Sequence, residues 1–510
     1  MAKKPEHRPI HRTDLLPSNM TAGKEAAVRE MLAAYRTGAV MLGREQWRLF
    51  FETGRFNKNF DKDKKTYAAV IGAANRVQMC RYQVVGALQS WVSNRSNEFR
   101  ETVVRSSLPP ETKHMLHVVN KAGACFSKDD VFMPKSGEVI PDDLRRLARS
   151  IMRHVMAKHR RPNLSRISMR LDRRAGAISR PAAADQNGRV GWWVRLSTME
   201  KGRKIDAPLL TYDFHEKRPG RVTDGIQINL DRDGRLTFGV VTDMGEACAA
   251  SRDAYDGNGE IALDFGLSTL FATSEGQLLG QGWLKELRRY DERITKIARG
   301  MQRRGLKPRQ SRRYKNAVTA LRGFLRTEIG RVFNKLVEQG QPKELVLERL
   351  DFRNPTLSRR LNRILQNAGR SIIHAKLQDL EERLGITSTE VNPAYTSQTC
   401  SCCGYLDKKN RRDQKTFRCL WCGHVMHADL NAARNIGERR ALAIGSGFHG
   451  KAAVLAELVR QFGERRVYST RSGGRGSTVD PLSTNPYFKG KVERGSDVAK
   501  ARPSQNLVAA

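Results

Sequence analysis

The 510-residue chain is long enough for about two to four domains, and its apolar fraction of 39% is ordinary for a globular protein. Lys and Arg number 92 against 53 Asp and Glu, a net charge of +39; such an excess repels itself unless a polyanion neutralises it, so solvated basic faces are not explanation enough and nucleic acid is the expected partner. No run of about 18 apolar residues occurs, and Met1 to Thr21 has no apolar signal core, so no membrane partner is expected.

In chain order, residues 1–20 read as a flexible basic N-terminus, with at most a short strand near Asp14-Leu15-Leu16. From Ala22 to about Arg160 the pattern is helical. Val28, Met31, Leu32 and Tyr35 share one face at helical spacing, and Val70, Val77, Val84 and Trp91 recur every seven residues as on one packed helix. Arg76, Arg81 and Arg95 on that helix suit either a solvated face or phosphate contact. Near Pro162 the texture changes to short strands: 168–171, 192–196, 209–212, 226–230 and 236–241, the last two joined by a turn at 231–235. Trp192 and Trp193 fit a strand core better than base stacking.

Ile261-Ala262-Leu263-Asp264-Phe265-Gly266 is an apolar strand that ends in a carboxylate at a sheet edge. A long basic helical stretch follows, broken by Pro308 into two helices. It carries Arg288, Arg289, Arg293, Arg299, Arg303, Arg304, Arg312, Arg313 and Arg322, interleaved with Tyr290, Tyr314 and Phe324, and it is the strongest candidate nucleic-acid surface, since a guanidinium fork suits phosphate. Glu344 to Glu348 is a second buried strand ending in a carboxylate. Asp351 lies three residues past it and reads as a spectator.

Two Cys-x2-Cys pairs, Cys400/Cys403 and Cys419/Cys422, flank fifteen residues, the spacing of a four-thiolate zinc site. Four thiolates leave zinc no open position, so one structural Zn2+ folds a ribbon and does no chemistry. Cys402 reads as a spectator, and Cys80, Cys125 and Cys248 as small buried residues, a usage expected of a reducing, intracellular compartment. Seven residues beyond Cys422, Asp429 opens a helix, with His427 in a structural role beside the ribbon. Asp264, Glu348 and Asp429 thus end three elements far apart in sequence. On so basic a chain they suit a two-metal phosphodiesterase, because carboxylates are what hold two Mg2+ for in-line displacement at phosphorus.

Asp264-Phe265-Gly266, Glu348, the run from Pro393 through Gly404, and Asp429-Leu430-Asn431-Ala432-Ala433-Arg434-Asn435-Ile436 closely resemble the parts of a split RuvC nuclease with an inserted zinc ribbon. That arrangement is similar to TnpB, the transposon-encoded RNA-guided nuclease, and to the compact type V CRISPR effectors derived from it. Cys402 departs from the first knuckle's usual pattern. The resemblance is carried by residues 258–445. It implies a bilobed, multidomain α+β protein with an RNase H-like α/β nuclease, in which Asp264, Glu348 and Asp429 are the catalytic Mg2+ ligands. The implied division is a helical recognition domain at 21–161, a wedge β-barrel at 162–257, RuvC motifs I and II with basic helices at 258–393, the ribbon (target nucleic-acid binding) at 394–424, RuvC motif III at 425–445, and a C-terminal extension at 446–510, largely disordered. The implied partners are a guide RNA, target double-stranded DNA and its displaced strand, with the protein a monomer or homodimer, cytoplasmic and nucleoid-associated in a prokaryote.

The implied activity is Mg2+-dependent, RNA-guided DNA cleavage in CRISPR antiviral defence. A first segment without a clear strand and a long helical block favour a miniature CRISPR effector over TnpB itself. A transposon-end RNA nuclease, and a guided silencer that binds without cutting, remain as alternatives.

Overall fold

The computed structural model describes residues 7–58, 64–127, 129–180, 190–231, 233–266, 268–349, 358–413, 415–442, 450–470 and 485–488. Asp351, the first six residues of the expected flexible N-terminus and most of the expected disordered extension lie outside the described residues. The chain divides into two compact units, Met1–Ala247 and Cys248–Ala510.

In the first unit, strand β1 (His11–Pro17) precedes helices α1 (Ala22–Thr53), α2 (Lys64–Ile71), α3 (Ala74–Arg105), α4 (Pro110–Lys121) and α5 (Asp142–Ala157). Strands β2 (Met169–Asp172), β3 (Gly176–Ser179), β4 (Val190–Ser197) and β5 (Lys204–Leu210) follow, then the short helix α6 (Asp213–Glu216), β6 (Arg221–Leu230) and β7 (Leu236–Asp243), while helix α7 (Gly245–Asp253) runs across the division at Ala247.

Residues 11–17 are therefore not a flexible tail. They pair antiparallel with β7 from His11↔Asp243 to Pro17↔Thr237, and Leu16 is buried. The partner strand lies far along the chain, which is why local pattern shows so little of it. The single heptad-spaced helix is also corrected. Gly72, at φ +96°, turns the chain between α2 and α3, a left-handed conformation that glycine adopts without steric cost. Val70 and Val77 thus lie on different helices. Arg76 and Arg81 are buried rather than solvated or free for phosphate: Arg76 donates to the carbonyl oxygens of Ile71 and Thr198, and Arg81 pairs with Glu45 at 3.8 Å.

No closed barrel forms among the described residues. Two antiparallel sheets, ordered β1–β7–β6–β2 and β3–β4–β5, take its place. A barrel requires every strand to be paired on both sides, but β1, β2, β3 and β5 each have one ladder only, and Ser18↔Leu209 is an isolated bridge. Both sheets share a core with the helices through Val28, Tyr35, Val77, Trp192, Val194, Ile228 and Phe238. Trp192 is thus a core residue, capped by the Arg180 guanidinium 4.6 Å from its ring centroid.

The second unit contains β8 (Asn258–Phe265), β9 (Phe271–Thr273), β10 (Leu278–Leu279), α8 (Trp283–Gln302), α9 (Arg312–Gly340) and β11 (Pro342–Glu348). Next come α10 (Arg359–Ile364), α11 (Arg370–Leu384), β12 (Thr387–Val391), β13 (Thr416–Arg418), β14 (Val425–His427), α12 (Ala428–Arg440) and α13 (Lys451–Thr470). Its main sheet is ordered β10–β9–β8–β11–β12, with β11 parallel to β8 and β12 and β9 antiparallel to β8. The expected break at Pro308 falls between α8 and α9, and Ser311 caps α9 by accepting from the Tyr314 amide at 3.3 Å.

Two pieces of the C-terminal extension, expected to be largely disordered, are among the described residues. In α13, Val454, Leu458 and Phe462 recur every fourth residue and enter the ribbon's core with Cys400, Tyr405 and Phe417. Residues 485–488 return to the same core, where Phe488 stacks on Tyr405 at 5.5 Å. A disorder reading rests on low apolar content, but Val454, Leu458, Phe462 and Phe488 are each buried. No described helix is long and apolar enough to cross a membrane.

Candidate metal and nucleic-acid site

Strand alternation decides which side chains meet. Ile261 and Leu263 of β8, with Leu345 and Leu347 of β11, enter the core shared with α8, α9 and α11. Successive strand residues face opposite ways, so Ala262 and Asp264, with Val346 and Glu348, face the other side. There Ala262, Val346 and Val391 pack on Ile436 of α12, whose Gly437 approaches so closely that an added Cβ would lie 3.3 Å from the Ala262 Cβ. The ladder pairs Leu263 with Leu347, so Asp264 and Glu348 are neighbours at the carboxyl ends of adjacent parallel strands. Asp429, in the first turn of α12, completes the group: a Cβ built on Gly266 would lie 3.7 Å from its Oδ2.

The electrostatics follow from that convergence. Asp264 is 8% exposed. Burial, then the Glu348 and Asp429 carboxylates, hold its carboxyl well above the ordinary aspartate value, while Arg411 pulls the other way. The Arg411 guanidinium donates from Nη2 to Asp429 Oδ1 at 3.0 Å, and Thr396 Oγ1 donates to Glu348 Oε2 at 3.4 Å. Three carboxylates against one guanidinium leave a surplus of negative charge on hard oxygen donors, which suits divalent cations such as Mg2+. The His427 side chain caps α12, Nδ1 accepting from the Asp429 amide at 3.3 Å, which is the structural part expected of it.

The ribbon is built from two knuckles of one design. Cys400 N–H donates to the Tyr405 carbonyl at 2.9 Å and Gly404 N–H to the Cys400 carbonyl at 2.8 Å; Cys419 and Gly423 repeat this at 2.9 and 3.1 Å. Gly404 and Gly423 take φ of 79° and 73°. Sulfur pairs Cys400/Cys422 and Cys403/Cys419 lie 3.8 and 3.6 Å apart. A tetrahedron with Zn–S of about 2.3 Å has an edge of about 3.8 Å, so the four cysteines fit structural zinc. Among the described residues theirs is the one group of three or more His, Cys, Asp or Glu donors lying within 4.8 Å of one another, so the carboxylates at Asp264 are neighbours with space between them. Cys402 is exposed and outside that group.

Arg411 and Thr396 carry no distinguishing signal in the sequence, and the fastening of the ribbon to α12 leaves only a faint one. Asn431 donates to the Thr399 carbonyl at 2.8 Å and accepts from the Ser401 amide at 3.0 Å. Asn435, one turn on, donates to the Thr396 and Thr399 carbonyls. Two asparagines four residues apart on a helix that also carries Asp429 were the available signal. The nine arginines named in the sequence are all exposed, on the solvent side of α8 and α9 or in the link between them, while Leu287, Ile294, Leu321 and Leu325 of those helices face the core. Arg289 is paired with Glu286 at 3.0 Å.

Residues 372–436 match the family model of the Cas12f1-like TNB domain. The CRISPR-associated endodeoxyribonuclease Cas12f1 of Sulfoacidibacillus thermotolerans is 44% identical over 75 residues, 15% of this chain and 18% of that protein. A TnpB-like protein of Aquifex aeolicus is 35% identical over 80 residues, 15% of this chain and 26% of that protein. This chain is Cas12f- and TnpB-like. The Cas12f1-like segment contains the four cysteines, Arg411 and Asp429, with Asp264 and Glu348 outside it. These matches span only a small part of either relative's length. A solved Cas12f1–sgRNA–target DNA complex superposes over 84% of this chain and 98% of that one at 13% identity and a TM-score of 0.39.

Proposed function

We propose that the chain is an RNA-guided DNA endonuclease that cleaves phosphodiester bonds at one RuvC-type site. The observation that carries the reading is the convergence of Asp264, Glu348 and Asp429 from three distant segments onto one face of a mixed sheet. The relatives of Cas12f1 and TnpB name support the same reading. In it Asp264, Glu348 and Asp429 hold two Mg2+, and the zinc is scaffolding for Asp429.

Two divalent cations, when bound, supply the charge that activates the attacking water and stabilises the departing oxygen. The chain supplies placement. Asp264 is held by β8, Glu348 by β11 and the Thr396 hydroxyl, and Asp429 by the first turn of α12 and by Arg411. The positive end of α12 and the Arg411 guanidinium both favour an anionic phosphate beside these carboxylates. Sequence recognition falls to base pairing between guide and target, so the protein needs backbone grip, for which the exposed arginines of α8 and α9 are suited.

A CRISPR effector remains the preferred assignment, on the length of the helical block α1 to α5. The TnpB reading gains from β1, since an opening strand is a feature that reading expects. The presence of all three carboxylates in the chain supports a cutting enzyme over a silencer. Sequencing the RNA that co-purifies from native cells tests the reading: repeat–spacer RNA is expected, transposon-end RNA would reassign the protein to TnpB, and absence of any specific RNA would overturn guided cleavage altogether.

A further inference from the structure

The first unit contains an aromatic stack that packs against its core on one side and reaches solvent at Phe51. The Trp47 and Phe51 rings lie 5.7 Å apart at 20°. The Arg161 guanidinium sits 4.8 Å from the Trp47 centroid and 5.4 Å from that of Phe51. Phe50, Phe56 and Trp91 brace the indole edge-on at 5.5 to 5.8 Å, and the Trp91 indole nitrogen donates to the Arg160 carbonyl at 3.0 Å, which fixes the strand of chain carrying Arg161. Phe51 nevertheless stays 48% exposed. Arg44, Arg48 and Arg55, close to these rings in sequence, and Arg160 beside Arg161 are exposed like Arg161 itself, and among the described residues none of the five has an ion pair.

We propose that the Trp47–Phe51–Arg161 stack is a platform on which an unpaired RNA base stacks while the surrounding arginines hold the adjoining phosphates. The proposal rests on the reading of the chain as RNA-guided. Single-stranded RNA is recognised by stacking of splayed bases on aromatic rings and guanidinium planes, each stacked base being worth about 1–3 kcal/mol. This site offers both planes, rigidly backed. A second copy of the chain is the disfavoured occupant, since a self-complementary contact would bring these uncompensated arginines against their own copies.

The test measures binding of a short single-stranded oligoadenylate RNA to the full chain across a salt series, with DNA of the same sequence as a parallel arm. Phe51→Leu keeps volume and apolarity and removes the ring. It is expected to weaken RNA binding by about 5- to 150-fold with an unchanged salt slope. Phe51→Trp is expected to restore binding, which a variant that merely unfolded the region would not show. Arg161→Gln is expected to weaken binding and flatten the salt slope by about 0.7, the loss of one single-strand phosphate contact. Wild-type RNA affinity in Phe51→Leu at every salt concentration overturns the proposal. So does a loss confined to the DNA arm, or a change from dimer to monomer with RNA affinity intact. The readout needs no cleavage, so a failure of the nuclease reading shows separately, as inactivity of the wild-type protein with RNA binding still sensitive to Phe51→Leu.

Discussion

Arg411 and Asp429 join the zinc ribbon to the carboxylate site: Nη2 of one lies 3.0 Å from Oδ1 of the other, and the same guanidinium lowers the proton affinity of Asp264. Removing it has a predictable sign. In Arg411→Ala the Asp264 pKa rises further above its ordinary value. Cations and protons compete for these carboxylates, so the pH midpoint of Mg2+ binding moves upward, and Arg411→Lys falls between variant and wild type. Titrating Mg2+-induced thermal stabilisation against pH checks this; an unmoved or lowered midpoint would contradict it.

The raised Asp264 pKa also sets a stability slope. Without metal, the folded state holds a proton that the unfolded state releases above pH 3.8. Stability therefore falls as pH rises from that value through the raised folded pKa. Asp264→Asn removes the titrating group and is expected to flatten the slope and stabilise the metal-free protein near neutral pH. Mg2+ is expected to stabilise wild type by about 2.7 kcal/mol at a concentration 100 times its Kd, and Asp264→Asn by less. Melting curves of both proteins in chelator and in Mg2+ measure it, and parallel pH slopes would refute the assignment.

Zinc content separates ligand from spectator. One Zn2+ per chain is expected in wild type and in Cys402→Ser, since the Cys402 sulfur stands outside the four-thiolate group. Cys419→Ser is expected to lose metal affinity, and with it the hold on α12 through Asn431 and Asn435. Metal analysis after dialysis decides, and zinc retained by Cys419→Ser but lost by Cys402→Ser would reverse the ligand set.

The returning C-terminal segment closes over the ribbon. Asn485 Nδ2 donates to the Tyr405 hydroxyl at 2.8 Å and the Leu406 carbonyl at 2.9 Å, and Phe488 is buried. Phe488→Ala is expected to cost the ribbon about 3–5 kcal/mol, the usual range for a buried phenylalanine. The ribbon holds the zinc, so the rate of zinc transfer to a chromogenic chelator reports on it directly, and that rate is expected to rise; an unchanged rate would show that the segment closes nothing.

What was legible in the sequence divides by how local its physics is. The knuckles, the Pro308 break and the three carboxylates could be read because spacing, turn chemistry and strand-end position are local. The pairing of β1 with β7 was hidden, since a ladder partner far along the chain leaves no trace in a seven-residue window. The heptad pattern runs on through Gly72 and masks the turn there. Strand texture suggests a barrel, but texture does not say which strand edges meet. Arg411 was one cation among many, and only its distance to Asp429 distinguishes it. Asn485 and Phe488 sit in a stretch whose composition resembles a tail, where three well-placed contacts outweigh the average.

The most direct measurement is cleavage of matched target DNA by the guide-loaded protein in Mg2+, wild type against Asp264→Asn, with DNA binding followed in the same samples. The account predicts that Asp264→Asn binds target like wild type and cleaves at least about 100-fold more slowly, the scale of removing one charge-stabilising group. Wild-type cleavage by Asp264→Asn would show that the chemistry lies elsewhere in the chain.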